Sequence, residues 1–223
     1  MNATTAQQLK IRQATREDIP FLAWCNYEAT SPEPGFCYWD PILEGFNTDT
    51  MAFIQAVFEA DALAWGRADQ FFVVEVDGKL VGGASGFEMD AEDYRPLHLS
   101  LMPKVAQVLG WSEKNLQEFM RRYEEVWRDP HDVTISPSSP YIIECVAVKP
   151  EMRGQGIAKQ LLNHICETGK QRGHSSVGIS VTIGNEPAMR VYEAIGFKNY
   201  VTYWADYFDG YFPGTIKYRR HME

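Results

Sequence analysis

The sequence has little of what would send a chain out of the cell, into a membrane or onto a nucleic acid. Its opening stretch, MNATTAQQLKIRQAT, carries no apolar run of the secretory kind. No segment approaches the roughly eighteen apolar residues that span a bilayer. Cysteine is scarce: Cys25, Cys37, Cys145 and Cys166 are the four, with no C-x-x-C spacing. Reduced thiols in a cytoplasmic protein without a zinc or other metal site are therefore expected. Positive charge is also short. A net charge of −9 leaves no general basic footprint for phosphate backbones, so no nucleic-acid partner is expected, and no membrane partner either. Repeats and low-complexity tracts are missing too.

What is present is ordinary for a packed core: 45% hydrophobic and 23% charged residues over 223 positions. A single domain over 1–223 is the expectation. Residues 9–14 alternate like a strand, and Thr15 caps a helix reaching about Ala29, with Asp18 at its third position. A proline- and glycine-broken loop with aromatics spans 31–41, and a second helix is predicted over 49–65. Two β-rich runs around Asp77-Gly78 (71–87) form a hairpin with a type I′ turn. A polar, partly helical insertion follows at about 88–139, its best helix carrying Leu116, Phe119, Met120, Tyr123 and Trp127 on one face. YIIECVAV, 141–148, is nearly all apolar and reads as a strand buried on both faces. A helix at 156–171, a strand at 175–183, a short helix at 186–195 and two strands within 198–220 complete an α/β chain with a mixed sheet. Its strand–helix–strand unit makes the strands at 141–148 and 175–183 parallel.

The turn between that buried strand and its helix, KPEMRGQG, holds two glycines one residue apart. Glycine there costs entropy and packing; what it provides is access to bare amides at a helix start. From Lys149 to Arg172 five cations face two carboxylates, so the segment is +3 in a chain that is −12 elsewhere. A helix N-terminus with added positive charge suits a pyrophosphate. Two common phosphate motifs fail: Ile157-Ala158 stands where a P-loop has Lys-Ser or Lys-Thr, and Lys159 stands at the third glycine of a dinucleotide fingerprint.

YIIECVAVKPEMRGQGIAKQLL resembles the acyl-CoA-binding signature of the GNAT superfamily of N-acetyltransferases. NEPAMRVYEAIGFKNY is similar to a second block of that family, met by Asn185, Ala188, Tyr192, Gly196 and Phe197. The resemblance implies a mostly antiparallel mixed sheet, flanked by helices, with one parallel pair splayed apart. Acetyl-CoA as co-substrate would have its pyrophosphate on the turn Arg153, Gly154, Gln155, Gly156, Ile157, Ala158 and Lys159, with Lys149 nearby. Its pantetheine arm would pair with the backbone of Val146, Ala147 and Val148, and Asn185 would bond the arm's amides or cap its own helix. Direct acetyl transfer to a primary amine through a tetrahedral intermediate is the implied reaction; a non-catalytic acyl-CoA sensor and a nucleotide-binding module are the alternatives.

Such transfer needs a base for the ammonium, donors for the oxyanion and an acid for the departing thiolate. By the resemblance Tyr192 is the acid and the Val146 amide the oxyanion donor, although Tyr192 also lies in an apolar stripe with Ala188, Val191 and Ile195. Glu144 is the candidate base, because a carboxylate inside an apolar strand is costly unless paired or functional. Alternation puts Ile142, Glu144, Val146 and Val148 on one face; Glu88 is another possible base. The acidic remainder of the chain favours a cationic acceptor, a small molecule or a peptide. Aromatics at 36–39 and 203–212, with Asp206 or Asp209, wall a pocket for it or pack in a core or a homodimer face.

Overall fold

The computed structural model describes residues 9–31 and 37–223. Residues 32–36, with Phe36 of the aromatic run among them, lie outside the described residues, as do residues 1–8. Strand β1 (Leu9–Gln13) leads through a short 3-10 turn into α1 (Ile19–Ala29), then α2 (Asp40–Leu43) and α3 (Thr50–Glu59). The predicted helix over 49–65 ends early, because Asp61 takes the left-handed conformation (φ 55°) and Leu63 then bridges to Leu97. The hairpin is β2 (Phe71–Val76) and β3 (Lys79–Glu88). Asp77 and Gly78 both have positive φ, 50° and 77°, as a type I′ turn requires.

The 88–139 segment contributes α4 (Met102–Leu109), closed by left-handed Gly110, and α5 (Glu113–Val126). Then come β4 (Tyr141–Val148), α6 (Ile157–Gln171), β5 (Ser176–Thr182), α7 (Glu186–Ala194), β6 (Lys198–Trp204) and β7 (Gly214–His221). One seven-stranded sheet runs β1-β2-β3-β4-β5-β7-β6. Only β4 and β5 are parallel. This is the mixed, mostly antiparallel sheet expected.

Each face of the sheet has its own apolar cluster. One joins α1 and α3 to Val73, Cys145 and Ala147, and takes in Leu97, Met102, Phe119 and Tyr123 of the 88–139 segment. The other joins α6 to Val74, Tyr141, Ile143 and Val148. Helix α6 lies on the sheet because Ile157, Leu161, Leu162, Ile165 and Cys166 share its buried side, each worth about 1.5–3 kcal/mol when removed from water. Phe119 and Tyr123 are fully buried, so the 88–139 segment is built into the α1-side core rather than laid over it.

An ion-pair cluster pins the entry to α1. The buried Asp18 carboxylate accepts from Arg12 Nη1 and Nη2 at 2.7 and 2.9 Å and from the Thr15 amide at 2.8 Å, while Arg12 Nε donates to Glu75 at 2.6 Å. The Arg12 bonds hold the Asp18 carboxyl down at about 2, below its ordinary value near 3.9. A carboxyl lowered by folding stabilises the fold above the unfolded value, and the benefit is lost as pH falls through the folded one. Asp18→Asn is therefore expected to cost about 2 kcal/mol at pH 7 and nothing near pH 2, measured by urea unfolding at both.

Candidate active site

The parallel pair β4–β5 stays in register for only three steps: Tyr141 with Val177, Ile142 with Gly178 and Ile143 with Ile179. Both strands run on, β4 to Val148 and β5 to Thr182, without pairing each other further. On its other side β4 also breaks step. Ser85 pairs with Glu144 and Gly83 with Ala147, so Cys145 and Val146 both stand against Ala84. This is a β-bulge. Cys145 sits in the left-handed region with φ 56°, a conformation that costs a non-glycine residue about 1–2 kcal/mol. The surrounding core sustains it: buried Asn26 of α1 donates through Nδ2 to Cys145 Sγ at 3.3 Å, and Trp39 Nε1 donates to Asn26 Oδ1 at 3.0 Å.

The bulge corrects the alternation read from the sequence. Ile142, Glu144, Val146 and Val148 do not share a face. Glu144 pairs with Ser85, which itself pairs with Phe71 of the α1-side cluster. Cys145 and Ala147 follow on that same side, whereas Val146 and Val148 pack on the α6 side. Glu144 thus stands at the mouth of the splay, with the Val146 backbone in the ladder of neither neighbour.

At the far end of β4 the chain enters the glycine turn. Gly154 and Gly156 have φ of 74° and 76°, and a Cβ on either would meet nothing within 4 Å. Both are required for their left-handed conformation and leave the turn open. Gly156 is the N-cap of α6 with no side-chain cap, and the first amide with a carbonyl partner is that of Gln160, to Gly156 O at 3.1 Å. Among the described residues, the amides of 154–159 have no backbone acceptor. They form an anion cradle. Gln155 and Lys159 are exposed beside it, Ala158 is half-buried and Ile157 is buried in the core.

The flanking cations are more engaged than the sequence suggests. Arg153 Nε donates to Val148 O at 3.0 Å and Nη2 reaches Glu28 at 3.3 Å. Lys149 Nζ lies 3.6 Å over the Trp24 ring. Arg153 therefore ties the turn to the end of β4 and to α1.

Asn185 caps α7, its Oδ1 accepting from the Ala188 amide at 3.3 Å. Tyr192 is buried on α7, its ring 5.9 Å from Tyr218 and 6.3 Å from Phe197. Burial, and after it the nearby Glu144 charge, raises the Tyr192 hydroxyl well above its ordinary value. It keeps its proton at neutral pH. Burial likewise pushes the Glu144 carboxyl up to about 7, with Lys217 pulling the other way. The two candidates act on each other through charge, Glu144 from the α1 side of the sheet and Tyr192 from the α6-side cluster. Glu88 is set apart, opposite Tyr141 at the other end of β4 and bonded to His174 at 2.9 Å.

The two aromatic segments also meet. Tyr38 lies 6.0 Å from Phe212, and Phe212, Phe208, Tyr207 and Tyr203 continue the chain at 5.0–5.5 Å steps. Asp206 and Asp209 are exposed; the carboxylate whose charge acts most on Tyr207 of this wall is Asp132. Lys217 is a buried lysine on the α1 side that the sequence reading did not single out. Among the described residues no group of His, Cys, Asp and Glu side chains gathers as a metal site, and no helix is long and apolar enough to cross a membrane.

Comparison with known proteins places this geometry. The chain is 35% identical over 68 residues to N-alpha-acetyltransferase 30 of Schizosaccharomyces pombe, covering 30% of this chain and 45% of that one. It is 37% identical over 57 residues to thialysine N-epsilon-acetyltransferase of Bos taurus, covering 26% and 34%. The matches thus span less than half the length of these relatives. An acetyltransferase of Salmonella typhimurium solved with its cofactor acetyl-CoA shares the fold at a TM-score of 0.53 and 13% identity, over 97% of this chain and 95% of that one. The model of the Acetyltransferase (GNAT) family matches residues 22–197, which include the bulge, the splay, the glycine turn and α7, and the chain belongs to that family.

Proposed function

We propose that this protein transfers an acetyl group from acetyl-CoA to a primary amine of a small molecule or peptide. The observation that carries the reading is a meeting at the C-terminal half of β4. A half-buried carboxylate, a strand edge left free where β4 and β5 part, and a row of bare helix-start amides follow one another along residues 144–159. The site fits the co-substrate. Amides 154–159 would take the pyrophosphate, with Lys159 and Gln155 at its edge. The edge of β4 that faces β5 from Val146 to Val148, left without a partner strand on that side, would take the pantetheine amides as an added strand, with Asn185 across the gap.

The chain's own groups supply the rest. Near neutral pH Glu144 is half-ionised, and it removes the proton that keeps an alkyl ammonium, with pKa near ~10, from attacking. The Val146 amide, in the ladder of neither neighbouring strand, would donate to the carbonyl oxygen as negative charge develops there. Tyr192, held protonated by burial, gives its proton to the thiolate as it leaves. The aromatic wall 203–212 with Tyr38, lying on the Glu144 side of the sheet, borders the acceptor, and its Asp132 favours a cation. One relative is named as an N-alpha-acetyltransferase and another for thialysine, so an amine panel must contain both peptides and small amines.

Release of free thiol from acetyl-CoA on adding one member of such a panel is the test. Tight acetyl-CoA binding with no thiol release across N-terminal peptides, polyamines and amino acids would leave a sensor instead. A more local check is Gly156→Glu. It places a carboxylate in the open turn and strains a left-handed position, so acetyl-CoA affinity is expected to fall by about tenfold or more in titration calorimetry, with the fold retained by circular dichroism.

A further inference from the structure

Lys217 sits on β7 with 2% of its surface exposed, an uncommon place for an ammonium. Its three N–H donors are all taken by the end of the 88–139 segment: Val133 O at 2.7 Å, Ser136 O, and Ser136 Oγ at 3.3 Å. Its backbone pairs with Ser180 on β5 and Val201 on β6. Ile216 and Tyr218 flank it on the α6 side, as Ile179 and Val181 flank Ser180. Lys217 and Ser180 therefore face the α1 side. Ile143 is in register with Ile179, the last pair before the strands part, so Glu144 and Ser180, the next residue on each strand, face the same side of the sheet. Carboxylate, hydroxyl and ammonium cross three strands on one face, at the mouth of the splay.

We propose that Lys217 is a positioning residue for the reaction: pinned by the 133–136 loop, its ammonium provides the fixed positive charge that keeps the Glu144 carboxylate available as a base. The inference rests on the acetyltransferase reading for its kinetic consequence and on geometry for its physical one. Three oxygen acceptors reward the ammonium form, because a neutral amine has two donors to offer them. With those donors occupied, Lys217 acts on Glu144 through its field across the row, in a setting where burial makes that field strong. Around the pair the titratable groups are few. Asp132 of the loop acts on Lys217, and the Cys145 thiol and the Tyr192 hydroxyl, from β4 and α7, lie near Glu144. Lys217 is the one cation among the groups acting on Glu144 in the described residues. Burial lowers Lys217 to about 8, which leaves it charged at neutral pH. The loop thus joins the 88–139 segment to the chemistry through one side chain.

Lys217→Met keeps the stem and removes the charge. The acidic limb of its kcat/KM profile, with one good amine, is expected to move up by about one pH unit, with acetyl-CoA affinity unchanged; Lys217→Arg is expected to keep the wild-type limb. Both variants lose the loop ties and melt lower. A methionine variant that melts lower with its limb unmoved would make Lys217 a structural peg and overturn the proposal. A second measurement needs neither variant nor turnover. The coupling is reciprocal, so the midpoint of the Lys217 Cε carbon signal, titrated by NMR, is expected to fall by a comparable amount in Glu144→Gln. An unchanged midpoint overturns the proposal. A chain inactive toward every amine defeats the acetyltransferase reading while this titration stays readable.

Discussion

Glu144→Gln is expected to lower kcat/KM at pH 7 by about 10²-fold or more while making the protein more stable above pH 7. Both effects come from one cause. Burial lifts the Glu144 carboxyl from its ordinary 4.5 to about 7, so the folded chain holds a proton that the unfolded chain has already released. Folding is then penalised as pH rises from about 4, and the penalty is complete above about 7. At about 1.4 kcal/mol per unit, the glutamine should gain on the order of 3 kcal/mol at pH 8 and nothing at pH 4, read from urea unfolding. Activity of the variant should recover in part toward pH 10, where free amine becomes plentiful. Lower stability at pH 8 with no alkaline recovery would make Glu144 a structural carboxylate.

The second large effect is expected from Tyr192→Phe, which removes one oxygen and keeps the ring packed against Tyr218 and Phe197. As the thiolate's acid, Tyr192 contributes about 10²-fold or more to kcat, and acetyl-CoA affinity should barely move. The loss should be smaller for a thioester whose thiolate is a better leaving group. Wild-type kcat in a stably folded phenylalanine variant would reduce Tyr192 to a core residue of the α6-side cluster.

Local chemistry made much of the fold legible. Asp77-Gly78 has one comfortable hairpin geometry, the 141–148 run is too apolar for a surface, and Gly154 and Gly156 announce a left-handed turn by their identity. The bulge gave no such sign. Cys145 occupies a glycine-like conformation without being glycine, held there by Asn26 and Trp39 from distant parts of the chain. Period-two reasoning therefore carried Val146 and Val148 to the wrong face. The helix over 49–65 ran long for a related reason: Asp61 turns left-handed and Leu63 then bridges to Leu97, 34 positions later. Lys217 was illegible, since a lysine in an edge-region strand reads as solvated until a loop 81 residues away supplies its acceptors.

The splay has a consequence for how the protein lives. Beyond Ile143 and Ile179 the sheet is two plates hinged along one short seam, and the rim of each is backbone with no strand beside it. A co-substrate that fills this slot is also a missing piece of the architecture. Binding only the folded form adds stability as the logarithm of ligand concentration over its dissociation constant, about 2.7 kcal/mol at a hundredfold excess. The folded population of such a chain, and its resistance to proteolysis, would then rise and fall with the cell's acetyl-CoA supply. Starvation for acetyl groups would thin out the enzyme itself as well as slow its reaction.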